Sequence, residues 1–144
     1  MAEQKIAAIR LKGEIGMNHE IKTSLSNLRL HKKNYCVVVP NTSSYLGMLQ
    51  KIKDVVTWGE INDETFNLVV EKRGEEFKGR EIDKHKKITY KDFFVFNNKK
   101  YKKYFRLNSP AKGYGRKGLK YSFKNGGALG YRGNKINDLI KRML

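Results

Sequence analysis

YCVVVP, residues 35–40, is the stretch of the chain that decides its fold. Three consecutive valines are typical of a strand that is covered on at least one face, and Pro40 ends the run because proline cannot donate to the ladder of a sheet. Cys36 is the one cysteine of the chain, which excludes an intramolecular disulfide and a metal site built on cysteines. Its place inside an apolar run predicts a buried, structural thiol.

The segments on the N-terminal side of this strand predict a further strand and a helix. Residues 6–11 form an apolar run that is followed by Gly13, which is typical of a strand with a turn behind it. Asn18 offers an N-cap for a helix over about residues 19–29. The apolar face of that helix recurs every three or four residues, at Ile21, Leu25 and Leu28.

On the C-terminal side, one boundary between helix and strand stays open. Side-chain oxygens that can cap a second helix lie at Asn41, Thr42 and Ser43, and apolar residues follow at helical spacing at Leu46, Leu49, Ile52 and Val56. Residues 55–60 are alternatively a third strand. Residues 63–71 predict a third helix with Gly74 as its stop, and its apolar face is formed by Phe66, Val69 and Val70.

The order strand, helix, strand, helix, strand within residues 1–61 predicts an α+β fold with a ferredoxin-like β-α-β-α-β core. Residues 62–144 predict a basic, glycine-rich C-terminal extension, in which 79–87 form a loop, 89–96 a strand and Asn97-Asn98 a turn. Pro110 and six glycines within residues 110–130 exclude a regular helix there. The extension ends in a helix whose apolar face is Ile136, Leu139, Ile140 and Met143.

The positive charge is concentrated in the extension. The 144 residues include 31 lysines and arginines against 14 acidic residues, which gives a net charge of +17. Residues 1–71 are nearly neutral, with 9 basic and 8 acidic side chains, whereas residues 72–124 contain 18 and 5. Within residues 93–124, ten cations and nine aromatic residues are interleaved without one acidic residue. Such a tract favours a polyanionic partner, because like charges repel each other on a free surface.

Cations that neutralise phosphates, together with aromatic rings on which unpaired bases stack, indicate nucleic acid as that partner. The candidate contacts in this tract are Lys99, Lys100, Lys102, Lys103, Arg106, Lys112, Arg116, Lys117, Lys120 and Lys124. The alternative is a solvated basic hairpin in which Phe93, Phe94 and Phe105 only fill a small core. We expect no membrane partner, because no apolar run approaches the roughly 20 residues that span a bilayer and the tract contains no clean amphipathic helix.

Residues 126–135, GGALGYRGNK, admit two interpretations. Gly126 and Gly127 let backbone amides approach a phosphate directly before a helix, or they form a plain tight turn. In the first case Tyr131 and Arg132 are the side chains best placed to stack on RNA or pair with it. The segment lacks the Gly-Lys-Ser/Thr ending of a nucleotide-binding P-loop.

The sequence contains no recognisable catalytic or metal-binding pattern. The three histidines are scattered without the spacing of metal ligands, and the serines lie outside a nucleophile elbow. The acidic cluster Glu71, Glu75 and Glu76 follows a helix beside Lys72 and Arg73, which is typical of a solvated surface. We therefore expect a non-enzymatic protein with no catalytic residues, no metal and no cofactor. The N-terminus lacks the features of a secretory signal, so we expect a soluble protein of the cytoplasm.

Four blocks of the chain carry a resemblance to a known family: LRLHKKNYCVVVP at 28–40, GMLQKIKDVVTWGEI at 47–61, FRL at 105–107 and GGALGYRGNKINDLIKRML at 126–144. In these blocks and their order the sequence resembles the archaeal form of ribosomal protein L-thirty of the large subunit, whose eukaryotic counterpart is L-seven. The second and fourth blocks are the specific ones. The resemblance implies a β-α-β-α-β core with an antiparallel sheet, an extension after it and a place in the large subunit on ribosomal RNA.

The resemblance also implies RNA contacts in the first part of the chain. These are Arg29, Lys32 and Lys33 after the first helix, Tyr45, Lys51 and Lys53 of the second helix, and Arg132 of the glycine block. Trp58 is expected in the core, and the tract 75–104 matches no motif of the family. We expect a structural constituent of the large ribosomal subunit that binds and stabilises ribosomal RNA. The alternative is a basic DNA-binding or RNA-processing accessory protein, and 5S RNA and neighbouring ribosomal proteins stay open as further partners.

Overall fold

The computed structural model describes residues 4–13, 15–78, 84–85, 93–114 and 116–144. The helices and strands are β1 (Lys5–Arg10), α1 (His19–Asn27), β2 (Tyr35–Pro40), α2 (Ser43–Lys51), β3 (Val56–Ile61), α3 (Asp63–Arg73), β4 (Phe93–Phe96), β5 (Lys99–Lys102), β6 (Phe105–Arg106), β7 (Gly130–Tyr131) and α4 (Ile136–Met143). Short 3₁₀ turns lie at Gly118–Lys120, Phe123–Asn125 and Gly133–Lys135.

Five strands form one sheet in the order β6-β2-β1-β3-β7. The central strand β1 pairs antiparallel with both neighbours, so that Ala7 faces Val38 on one side and Gly59 on the other. This confirms the predicted α+β fold and its antiparallel β-α-β-α-β core. The extension adds β6 antiparallel to β2 and β7 parallel to β3, which makes the complete sheet mixed. Both edge strands therefore come from residues after 62, whereas the boundary between core and extension stays a prediction.

Alternating side chains of β1 face two different hydrophobic layers. Ile6 and Ala8 pack with Trp58 and with the apolar sides of α1 and α2. Ala7 and Ile9 pack on the opposite face with α3, α4 and Phe105. The predicted face of the last helix is fully buried there, with Ile136, Leu139, Ile140 and Met143 all at 0% exposure. Helices thus cover both faces of the sheet, and Trp58 belongs to the core as expected.

Local signals in the sequence agree with the helix starts. The Asn18 side chain accepts a hydrogen bond from the amide of Ile21 at 3.0 Å, and that of Asn62 accepts one from Thr65 at 2.8 Å. Thr42 has the same role for α2, at 3.5 Å from the Tyr45 amide. Burial raises the pKa of the Cys36 thiol to about 12, so this thiol stays protonated and structural.

The open boundary after α2 is resolved in favour of the strand. The helix ends at Lys51, and the amide of Leu11 donates to the carbonyl of Val55 at 2.8 Å, immediately before β3 begins. Val56 therefore pairs with Arg10 in the sheet instead of continuing the helix. Asn97 and Asn98 form the predicted turn between β4 and β5 with φ angles of 49° and 65°. Residues 89–92, and most of the loop predicted at 79–87, lie outside the described residues.

Within the described ranges, none of the helices combines the length and the apolar composition that crossing a bilayer requires. In the same ranges, histidine, cysteine and carboxylate side chains form no group of three or more that could hold a metal ion.

Candidate nucleic-acid interface

The candidate contacts lie mainly at the two opposite edges of the sheet. We call the residues around β6 and the start of β2 the first-edge surface (His31 to Tyr35 and Lys102 to Arg106, with Tyr114). We call residues 117–132, which include β7, the second-edge surface. Four strand spacings separate the two edges, which corresponds to roughly 19 Å. The two surfaces are therefore placed to meet different segments of a large partner.

The first-edge surface is built around a pair of stacked tyrosines. Tyr35 and Tyr104 lie 5.2 Å apart between ring centroids, with an angle of 5° between their planes, and both are half-buried. The His31 ring meets the edge of Tyr104 at 5.9 Å. A flat aromatic pair of this kind is a surface on which a base can stack.

Two lysines lie beside aromatic rings of this surface. The Lys102 ammonium lies 5.8 Å from the centroid of the Tyr104 ring, and the Lys33 ammonium lies 5.7 Å from that of Tyr114. The Tyr114 hydroxyl donates to the Asn34 side chain at 2.8 Å, which ties residue 114 to the start of β2. The structure thus brings Lys33 and Lys102, predicted from distant parts of the sequence, to the same edge.

An acidic residue from outside the basic tract lies within this surface. Glu75 forms an ion pair with Lys102 at 3.3 Å and also pairs with Arg106. Burial opposes ionisation of Glu75, but its hydrogen bonds and charge attraction to Arg106 and Lys102 prevail and lower its pKa. The hydrogen bond to Glu75 in turn raises the pKa of Lys102 and of Arg106. Residues 93–124 contain no acidic residue. In the folded protein, however, Glu75 partly neutralises two of their ten cations, Lys102 and Arg106.

The second-edge surface carries exposed rings beside exposed lysines. Tyr121 and Tyr131 are each 52% exposed. The Lys117 ammonium lies 5.4 Å from the centroid of the Tyr121 ring. Lys120 and Lys124 are exposed in the same segment. The hydroxyl of Tyr131 donates to Glu60, which raises the pKa of Tyr131 and holds its ring next to Trp58 at 6.4 Å.

The glycine block agrees with the tight-turn interpretation at its first two residues. The amide of Gly126 donates to the carbonyl of Phe123 at 3.0 Å, and that of Gly127 donates to Ser122 at 2.8 Å. A Cβ atom at Gly127 would lie 2.0 Å from the carbonyl oxygen of Tyr121, so the close passage of this chain requires glycine there. These two amides are used inside the loop and do not form the phosphate cradle.

Arg132 is buried, so the predicted stacking or pairing of this side chain with RNA does not fit the structure: only 5% of the residue is exposed. Its Nε donates to the hydroxyl of Thr57 and a terminal nitrogen donates to the Ala128 carbonyl, both at 2.8 Å. The guanidinium also lies 4.8 Å from the Phe123 ring centroid. Burial, with a contribution from nearby Arg142, lowers the pKa of Arg132 to about 10, so it remains charged at neutral pH. The buried Arg132 side chain therefore links the glycine block to β3.

The other candidates are distributed over the surface. Lys51, Lys53, Lys99, Lys112 and Arg116 are exposed, whereas Arg29, Tyr45 and Lys100 are half-buried. Within the first-edge surface, Lys32 is exposed and Lys103 is half-buried. Arg29 closes the turn after α1 with a φ of 62°. Sequence reasoning missed Tyr35, Tyr104 and His31 as members of the site. For Tyr104 the interleaving of aromatic residues with cations in residues 93–124 was the available signal, but it did not show which rings meet; Tyr35 and His31 lie outside that tract.

Comparison with known proteins gives consistent matches. The sequence model of the family described as Ribosomal protein L30p/L7e matches residues 6–56. Large ribosomal subunit protein uL30 of Nanoarchaeum equitans is 41% identical over 96% of this chain and 97% of its own length. The proteins of the same name from Methanococcus maripaludis and Methanopyrus kandleri are 36% and 39% identical, over 96% and 93% of this chain and 98% and 100% of their own lengths.

Proposed function

The chain belongs to the ribosomal protein L30p/L7e family, and from that premise we propose that it is a structural constituent of the large ribosomal subunit that binds and stabilises ribosomal RNA. Its role is structural and not enzymatic, and its place of action is the cytoplasm, where the large subunit works. Its partners are ribosomal RNA and other ribosomal proteins. We further propose that the protein contacts 5S RNA.

The observation that carries the RNA contact is the pairing of lysines with accessible aromatic rings at both edges of one sheet. Lys117 lies by Tyr121 at one edge and Lys102 by Tyr104 at the other. A lysine that neutralises a phosphate beside a ring that stacks a base matches the two chemical parts of a nucleotide. Each edge would therefore bind its own RNA segment, and the rigid sheet would hold the two segments at a set distance.

The second-edge surface offers the clearer test, because its lysines form no described ion pair with an acidic side chain. Replacing Lys117, Lys120 and Lys124 with Gln should weaken binding to a structured fragment of ribosomal RNA. Each lost phosphate contact on single-stranded RNA reduces the slope of log affinity against log salt by about 0.7, so the triple variant should lose about 2 from that slope. Affinity is measured by titration at several salt concentrations.

A matched control removes the same charge elsewhere. Lys72, Lys78 and Lys141 are exposed residues outside both surfaces, and their triple replacement with Gln should leave most of the slope unchanged. Equal losses in the two triple variants would show that only net charge matters and would contradict the assigned surface. Competition with duplex DNA tests the alternative of a DNA-binding protein, which predicts that DNA displaces the RNA. Chemical footprinting on large subunits with and without the protein would identify the RNA helices, including any of 5S RNA.

A further inference from the structure

A carboxylate lies beside the second-edge surface, whose own residues 117–132 include no acidic side chain. Glu60 is the last residue but one of β3, and its Oε1 accepts a hydrogen bond of 2.5 Å from the Tyr131 hydroxyl. Within the described part of the chain, no lysine or arginine forms an ion pair with Glu60, whereas Glu75 at the first edge is paired with two cations. A carboxylate repels phosphate, so phosphate binding does not explain its place at this surface.

The sheet places this carboxylate beside an exposed aromatic ring. Trp58 and Glu60 lie two residues apart on β3, so their side chains project from the same face. Tyr131 of β7 is the partner of Trp58 in the register of the two strands, and the Arg132 amide donates to the Trp58 carbonyl at 2.9 Å. Tyr131 is 52% exposed and Glu60 is half-buried. The ring and the carboxylate therefore form one accessible site.

Hydrogen bonds within the protein hold Glu60 in place. The Asn137 side chain donates to the backbone carbonyl of Glu60 at 3.2 Å and accepts from the Asn62 amide at 3.0 Å. The bond from Tyr131 fixes the carboxylate itself, and it raises the pKa of Tyr131, so the hydroxyl remains a donor at neutral pH. Among the described residues none donates to Oε2 of Glu60, so this oxygen and a second lone pair on Oε1 can accept from a ligand.

An ionised carboxylate only accepts hydrogen bonds, and this property selects among the four bases. The Watson–Crick edge of guanine presents two adjacent donors, N1–H and the N2 amino group, which match the two carboxylate oxygens. In adenine, cytosine and uracil the neighbour of each donor on that edge is an acceptor, which the negative charge repels. Unpaired bases in RNA are read along this edge while they stack on aromatic side chains. A tyrosine ring beside a free carboxylate therefore fits guanine.

We propose that Glu60 and Tyr131 form a subsite for an unpaired guanine of the RNA, which packs on the Tyr131 ring and donates from N1–H and N2 to the Glu60 carboxylate. The subsite rests on the proposed RNA-binding function and deepens it, because it assigns base specificity to one place on the molecule. The lysines of the second-edge surface contact phosphates, which all nucleotides share, whereas Glu60 contacts donors that guanine alone presents side by side. The 2′-hydroxyl of a ribose is the rival donor that the experiment must distinguish.

The test uses the full-length protein and short single-stranded oligouridines in which only the central base is varied. Affinities are measured by fluorescence anisotropy at one salt concentration. The oligomer with guanine should bind about tenfold more tightly than the one with inosine, which lacks only the N2 amino group, because a hydrogen bond to a charged group is lost. Oligomers with central adenine or uracil should bind no more tightly than the one with inosine. Central deoxyguanosine should change the affinity by less than about twofold, because the 2′-hydroxyl is not the donor.

The position of the base is followed at Trp58, the one tryptophan of the chain. Its ring centroid lies 6.4 Å from that of Tyr131. A guanine that packs on Tyr131 changes the ring-current environment of Trp58. The indole N–H signal of Trp58 in an NMR titration should therefore shift and saturate with the guanine oligomer.

Two variants separate base recognition from a structural role of Glu60. In Glu60→Gln the amide oxygen still accepts from Tyr131, so the ring stays in place, but only one acceptor atom remains. Its preference for guanine over inosine should fall to about twofold or less. Tyr131→Phe keeps the ring and the carboxylate, so the preference should persist. Glu71→Gln is the matched control, because it removes the same charge from an exposed position of α3, and it should bind like the wild type.

Three outcomes would overturn the subsite: equal affinities of the wild type for guanine and inosine, a guanine preference that Glu60→Gln retains, or no shift of the Trp58 signal. A greater loss with deoxyguanosine than with inosine would overturn it too and assign Glu60 to the ribose. The salt slope that depends on Lys117, Lys120 and Lys124 is measured separately. The guanine subsite can therefore fail while RNA binding stands, and the absence of that slope identifies a failure of the proposed function itself.

Discussion

The carbonyl oxygen of Gly133 occupies the space beside Gly59 so closely that a Cβ atom on Gly59 would lie 1.9 Å from it. Gly59 is in the middle of β3, and Gly133 begins the turn that leads into α4. A hypothetical Cβ at Gly59 would also lie 3.1 Å from that of Ile136, the first residue of α4. The close approach of these two glycines thus allows the terminal helix to pack directly on the sheet.

Gly59→Ala should destabilise the protein by about 3 kcal/mol, because a backbone oxygen cannot give way as a flexible side chain can. Urea denaturation followed by circular dichroism measures the change in the free energy of unfolding. Gly47→Ala is the matched control. Nothing lies within 4 Å of a Cβ at that position of α2, so alanine should stabilise the helix by about 0.5 to 1 kcal/mol. A neutral effect of Gly59→Ala would show that the turn and the strand can separate at little cost.

Arg132→Lys should destabilise the fold by about 2 kcal/mol, although it keeps the charge. A lysine ammonium cannot reproduce the guanidinium geometry that donates to both Thr57 and Ala128. The salt dependence of RNA binding should be unchanged once the variant is folded, because this side chain does not reach the surface. If the Arg132→Lys variant has normal stability but a smaller slope of log affinity against log salt, Arg132 is part of the RNA interface after all.

Glu75 should contribute to the pH dependence of stability. Its pKa in the folded protein is lowered by Arg106 and Lys102, despite burial, so it lies below that of the unfolded chain. The resulting stabilisation is fully present above the ordinary glutamate pKa and is lost as the pH falls through the lowered value. Glu75→Gln should therefore flatten the acid side of a stability-versus-pH curve, with Glu76→Gln, at an exposed neighbour, as the control. Curves that coincide for Glu75→Gln and the wild type would contradict the ion pairs.

The Glu75→Gln variant also tests whether the first-edge surface binds RNA. Removing the carboxylate releases Lys102 and Arg106 from their acidic partner. If this surface binds phosphates, Glu75→Gln should bind ribosomal RNA more tightly than the wild type at low salt, and the difference should shrink as salt is added. Weaker binding would mean that Glu75 positions the two cations for RNA rather than competing with it.

Thr65→Val should stabilise the protein by about 1 kcal/mol. Thr65 is fully buried, and within the described part of the chain its hydroxyl has no hydrogen-bond partner. Valine has nearly the same shape and removes the unpaired polar group. Thr23→Val is the control, because the Thr23 hydroxyl is exposed and donates to the His19 carbonyl, so its loss should change stability by less than about 0.5 kcal/mol. A decrease in the stability of Thr65→Val would indicate a partner for this hydroxyl.

Properties that depend on neighbours along the chain were determined by the sequence alone. The valine run predicted β2, the predicted caps Asn18 and Thr42 lie where α1 and α2 begin, and four apolar residues at helical spacing identified α4. The position of the charge and the family blocks likewise needed no coordinates. These signals are readable because capping and helical periodicity act over three or four residues.

The tertiary structure determined the contacts between residues that lie far apart in the sequence. Arg132 looked like an RNA contact, but Thr57, 75 positions away in the sequence, accepts its hydrogen bond. Glu75 meets Arg106 across 31 positions, and Tyr35 stacks on Tyr104, which belongs to the segment between β5 and β6. The pairing of strands and the packing of the segment after α3 against β5 bring these pairs together. A buried arginine and an exposed one have the same local sequence signature, because burial depends on which strands become neighbours and not on the residues beside it in the chain.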